Sequence, residues 1–153
     1  MTLNKKDFKI CIVGLGYVGL PLASRFSFKG FDVIGFDINE VRVKELLELN
    51  DRNDDIDIKN LKALNKKSKL TSDINELEGS NIFIVTVPTP INENKTPDLQ
   101  PLISSSELIG SIIGKGAIVI YESTVYPGVT DDICTPILKK KSDLIFNQEF
   151  STG

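Results

Sequence analysis

Residues 9–19, KICIVGLGYVG, decide the fold. Apolar, β-prone residues run without interruption from Ile10 to Val13 and stop at a glycine, as in a strand buried on both faces. Gly14, Gly16 and Gly19 then stand in the order G-x-G-x-x-G, with Leu15, Tyr17 and Val18 between them. The fingerprint opens onto residues 17–29, where Val18, Leu22 and Phe26 recur at helical spacing until Gly30. Strand, glycine turn and helix in this order form a dinucleotide-binding unit. The first glycine permits a tight turn, the second lets the main chain approach a pyrophosphate, and the third lets the helix pack close to the strand. The helix N-terminus adds free N–H groups and the positive end of its dipole. Gly14, Leu15, Gly16, Tyr17, Val18 and Gly19 are therefore candidate cofactor-binding residues. The competing reading is a glycine-rich turn that binds nothing.

Outward from this unit, strands and helices alternate. Residues 32–36 read as a second strand, and Asn39 as the N-cap of a helix reaching about residue 49. Residues 50–58, NDRNDDIDI, read as an acidic surface insertion or weakly ordered loop. A short helix at 61–65, a strand near Leu70 and a turn capped by Asp73 follow. Residues 82–87, IFIVTV, form a strand stopped by Pro88 and Pro90. Helices are expected over 102–113 and 130–140, with strands at 117–121 and 144–146. This predicts an α/β fold, a doubly wound, mostly parallel Rossmann sheet in one domain spanning 1–153.

The charge balance narrows the partners. A net charge of −3 and an isoelectric point near 5.0 give no basic field for nucleic acid or an anionic membrane. Lys139, Lys140 and Lys141 read as a solvated helix end. The absence of histidine removes imidazole bases and His metal ligands, so no metal is expected. Cys11 and Cys134 are too few for a disulfide framework or zinc site. The lead-in MTLNKKDF carries no apolar signal segment, and no apolar run approaches a bilayer span. A cytoplasmic protein is the expectation.

Asp37, 18 residues beyond Gly19, ends the second strand, where a carboxylate accepts hydrogen bonds from ribose hydroxyls and repels a 2′-phosphate. The bland alternative is a cap ahead of Asn39. Arg42 alone could serve a 2′-phosphate; beside an intact Asp37 it is expected to flank the adenine or ribose. The predicted cofactor is NAD rather than NADP. Loops at the carboxyl ends of strands line the ligand crevice of such sheets, which adds Val87, Pro88, Thr89, Ser123 and Thr124 to the candidates. Rigid Pro or Ser/Thr turns are the alternative for these loops.

Five ordered segments go further: GLGYVG (14–19), GFDINEVR (35–42), VPTPIN (87–92), KTPDLQPL (95–102) and YESTVYPG (121–128). Together they resemble the N-terminal domain of the UDP-glucose/GDP-mannose dehydrogenase family from about residue 8 to the end. VPTP and YESTVYPG point to the branch oxidising UDP-N-acetylhexosamines for surface polysaccharides, the Vi-antigen type. The resemblance implies NAD-dependent oxidation of a sugar C6 alcohol to a carboxylate, by a homo-oligomeric enzyme with a cysteine nucleophile in a later domain. It gives Thr124 a role in positioning water or substrate, and gives Glu122 none. Cys11 reads as a core residue and Cys134 as a helix residue on its apolar side or surface. Glu149 lacks a preceding Ser-Pro and reads as an exposed lead-in residue. The chain is expected to be a truncated domain, inactive alone. The rival reading is a stand-alone NAD-binding or redox-sensing module.

Overall fold

The computed structural model describes residues 4–153. The reading of residues 1–8 as a lead-in falls partly on 1–3, outside the described residues. Strand β1 (Lys9–Val13) is the apolar run that opens the fingerprint, and helix α1 (Gly19–Phe28) follows it. Strand β2 (Asp32–Phe36) leads to helix α2 (Glu40–Leu47), whose N-cap Asn39 accepts the Val41 and Arg42 amides. Helix α3 (Ile58–Lys67) precedes strand β3 (Lys69–Thr71), and a 3₁₀ turn (Ile74–Leu77) capped by Asp73 leads to β4 (Ile82–Val85). Helix α4 (Gln100–Gly110), strand β5 (Ala117–Tyr121), helix α5 (Thr135–Ser142) and strand β6 (Phe150–Thr152) complete the chain.

All six strands are parallel in the order β3-β2-β1-β4-β5-β6. The chain winds one way from β1 and the other way from β4, so the order reverses between these two strands. Alternation along β1 distributes the core. Ile10 and Ile12 pack with Leu20 and Ala23 of α1 and Leu61 and Leu64 of α3 on one face. Cys11 and Val13 pack on the opposite face with Leu102 and Ile109 of α4 and Leu138 of α5. Both faces of the central strands are covered, as the unbroken apolar runs require.

Several boundaries differ from the sequence expectation for local reasons. The strand expected over 82–87 stops at Val85, two residues short, as the chain leaves the sheet toward Pro88. Helix α3 is longer than expected because the Asp57 carboxylate accepts the Asn60 amide and starts the helix early. The helix expected over 130–140 opens as a π-helical turn (Thr130–Cys134) before α5. The strand expected at 144–146 forms instead at β6. Asp143 ends α5 in the left-handed region, and the Gln148 and Glu149 amides both turn back to the Ile145 carbonyl. That loop uses up residues 144–149 before the chain can align with β5. Residues 50–58 are largely exposed, as the sequence implies, but the side chains of Asp51 and Asp55 turn inward against Arg42, and Arg52 pairs with Glu45. No helix of the described residues is long and apolar enough to cross a membrane.

Candidate cofactor cleft

A cleft of about 320 Å³ opens at the carboxyl ends of β1, β4 and β5, where the strand order reverses. Tyr17 and Val18 line it from the fingerprint, Thr86, Val87, Pro88, Thr89 and Pro90 from the loop after β4, and Glu122, Ser123 and Thr124 from the loop after β5. Open parallel sheets bind ligands at this topological position.

The fingerprint loop is built from close approaches. Gly14 has φ +103°, and a side chain there would also press on the main chain of Thr86. A Cβ on Gly19 would overlap the Gly14 carbonyl oxygen and the Thr86 hydroxyl. Gly16 differs, because a Cβ there would meet nothing within 4 Å. Its main chain faces open space. Among the described residues the amides of Gly16, Tyr17 and Val18 find no acceptor, as expected for main-chain donors at a helix start.

Asp37 is tied to the same loop: Oδ2 accepts the Leu15 amide at 2.8 Å and Oδ1 accepts the Asn39 amide at 2.9 Å. Asp37 thus braces the turn ahead of Asn39 and holds its carboxylate against the fingerprint loop. Arg42 stands otherwise than expected. Its residue is 6% exposed, and its guanidinium points away from solvent. Nε donates to the Leu15 carbonyl at 3.0 Å, and Nη2 donates to Asp55 at 3.1 Å. Nη1 lies 2.8 Å from Asp51 but off the line of its N–H groups, so that contact is an ion pair more than a directed hydrogen bond. With its donors so committed, Arg42 does not reach out to flank an adenine or ribose. Burial raises the Asp51 carboxyl pKa, but the Ile56 amide and Arg42 outweigh it and hold the carboxyl below its ordinary range.

The two cleft loops are bonded to each other. Ser123 Oγ donates to the Val87 carbonyl at 2.6 Å, and Thr89 Oγ1 donates to the Thr124 carbonyl at 2.8 Å. These hydroxyls join the two loops that line the cleft. Thr86 is a residue that sequence reading missed. Its hydroxyl donates to the Gly14 carbonyl at 2.8 Å, joining β4 to the glycine turn. The signal was present: it is the one polar residue in IFIVTV. Glu122 also lines the cleft, with its amide bonded to the Val85 carbonyl.

A family model for the UDP-glucose/GDP-mannose dehydrogenase family, NAD binding domain, matches residues 8–152. The chain belongs to this family. It is 52% identical over 148 residues to a UDP-N-acetyl-D-glucosamine 6-dehydrogenase of Pseudomonas aeruginosa, covering 97% of this chain and 35% of that protein. A UDP-N-acetyl-D-glucosamine 6-dehydrogenase of Salmonella typhi is 47% identical over 150 residues, 96% of this chain and 34% of that protein. Among solved structures, a UDP-D-ManNAc dehydrogenase from Pyrococcus horikoshii superposes with a TM-score of 0.83 at 33% identity, over 95% of this chain and 35% of that one. The chain thus spans about a third of the length of the relatives it matches.

As the NAD-binding domain of the UDP-glucose/GDP-mannose dehydrogenase family, the chain fits its cofactor on observable grounds. Unpaired amides at the start of α1, open space over Gly16 and the Asp37 carboxylate together suit a dinucleotide. The thiols suit no covalent role. Cys11 is fully buried in β1, and burial pushes its pKa up to about 12. Cys134 is buried, not at the surface, and burial raises its pKa too. Neither supplies the accessible thiolate that nucleophilic capture needs. Glu149 is half-buried: it accepts the Ile145 amide and pairs with Lys115 at 2.6 Å.

Proposed function

We propose that this chain is the cofactor-binding part of an enzyme that oxidises the C6 alcohol of a UDP-N-acetylhexosamine to a carboxylate, for surface polysaccharide synthesis in the cytoplasm. The observation that carries the reading is the cleft. Tyr17 and Val18, whose amides find no acceptor among the described residues, line the same opening as the loops after β4 and β5, at the reversal of strand order. The names of the relatives support the sugar class. NAD, once bound, supplies a hydride acceptor. The chain's own residues bind and orient it: Gly16, Tyr17 and Val18 offer amides to the pyrophosphate, and Asp37 offers its carboxylate to the ribose hydroxyls. Val87, Pro88, Thr89 and Ser123 form the stiff wall along the nicotinamide half. Thr124 gives only its carbonyl to Thr89, so its hydroxyl at the exposed rim is available to hold water or substrate near the reacting carbon. The active enzyme is taken to be a homo-oligomer.

Three measurements test this. Titration calorimetry of the 153-residue chain should show NAD binding, while NAD plus UDP-N-acetylhexosamines should give no steady NADH absorbance, since a chain of a third of its relatives' length does not enclose the sugar and its thiols are buried. Replacing the N-terminal third of the Pseudomonas aeruginosa relative with this chain should leave a protein that makes NADH from UDP-N-acetyl-D-glucosamine. A folded graft that binds NAD but turns over no substrate would overturn the dehydrogenase reading in favour of a binding or sensing module.

A further inference from the structure

We infer that Arg42 is a positioning residue for the cofactor's pyrophosphate, acting through the main chain of Leu15 and held in place by Asp51 and Asp55. The inference rests on the cofactor reading above and adds residues outside the cleft. Both polar groups of Leu15 are held from the start of α2. Asp37 accepts its N–H, and Arg42 Nε donates to its carbonyl. The carbonyl of Leu15 shares a peptide plane with the amide of Gly16. In a planar trans peptide these groups point in opposite directions. Fixing the Leu15 carbonyl on the buried Arg42 therefore turns the Gly16 N–H away from the protein, toward the open side of the loop. That amide has no acceptor among the described residues, and nothing stands within 4 Å of where a Gly16 Cβ would be.

The carboxylates explain why an arginine can work here. A cation turned inward needs paired, hydrogen-bonded partners. Asp51 and Asp55 meet the two terminal nitrogens, and their side chains are 4% and 8% exposed. Asp51 in turn accepts the Ile56 amide at 3.0 Å, and Asp55 accepts Asn53 Nδ2 at 3.2 Å. With two anions beside it, Arg42 offers a phosphate no net attraction. Its influence runs through geometry. The acidic stretch 50–57 is accordingly the outer support of the fingerprint.

The test compares Arg42→Met with Arg42→Gln, both made together with Asp51→Asn and Asp55→Asn so that no buried charge is left alone. A glutamine amide nitrogen can stand where Nε stands and donate to the Leu15 carbonyl, and methionine cannot. Both proteins lose the ion pairs, so their melting temperatures should fall alike. NAD and ADP-ribose affinities, measured by calorimetry below the melting transition, should fall roughly tenfold from the unmodified chain with methionine and stay within about threefold of it with glutamine, the scale of one hydrogen bond. The ratio of NAD to NADP affinity should hold in both, because Asp37 is untouched. Equal affinities for the methionine and glutamine proteins would overturn the inference, as would a collapse of the NAD to NADP ratio, which would mean that Asp37 had moved. Failure of the unmodified chain to bind NAD would instead overturn the cofactor reading on which it rests.

Discussion

Asp37 carries two duties that substitution can separate. It braces the Leu15 and Asn39 amides, and it places a negative charge beside the fingerprint. NADP would bring a 2′-phosphate against that charge and lose the ribose hydrogen bonds. Asp37→Ser should therefore cut the ratio of NAD to NADP affinity by tenfold or more, since hydrogen bonds to a charged acceptor contribute about 1.5–3 kcal/mol each. NAD affinity itself should also drop, because serine is too short to hold the Leu15 amide as the carboxylate does. Calorimetric titration of both cofactors on both proteins reads the two effects apart. A ratio that does not change would leave Asp37 with its bracing duty alone.

At the level of elements, the unit from β1 to α1 is held by contact distances that leave no room for a side chain at Gly14 or Gly19. Gly19→Ala should destabilise the chain by about 1–3 kcal/mol, the usual cost of overpacking, because the methyl meets backbone that cannot swing aside. A chemical denaturation midpoint would show it, and an unchanged midpoint would mean that the turn yields to the added methyl. This unit was also the most legible in the sequence, since strand, glycines and helix each carry their own local signal. Boundaries set by distant partners were not legible. The carboxylates of Asp51 and Asp55 read as solvated, because nothing in NDRNDDIDI announces that Arg42, on another element, turns inward to meet them. Likewise the β-prone residues 144–146 satisfy a strand pattern. The pairing with β5 nevertheless begins at Phe150, which stands opposite Ala117. Ser123 and Thr89 were candidates from the sequence, and both line the cleft. Their bonds to main-chain carbonyls of the facing loop are tertiary facts that no spacing encodes.

On the scale of the whole molecule, the two apolar clusters clamp the sheet from both sides and leave the cleft at its carboxyl edge as the polar opening between them. The two loops on the far wall of that opening are stitched by a pair of hydrogen bonds, Ser123 to Val87 and Thr89 to Thr124. A stitched wall has consequences for timing. Loops that must first find each other would add a slow rearrangement after encounter, whereas loops already joined let a dinucleotide enter in a single event. In rapid mixing of the chain with NADH, followed by nucleotide fluorescence, the observed rate should rise in proportion to nucleotide concentration without levelling off. Removing both stitches with Ser123→Ala and Thr89→Val should free the loops, and a plateau should then appear at high concentration. A plateau already present in the unmodified chain would show that the wall opens and closes on its own clock.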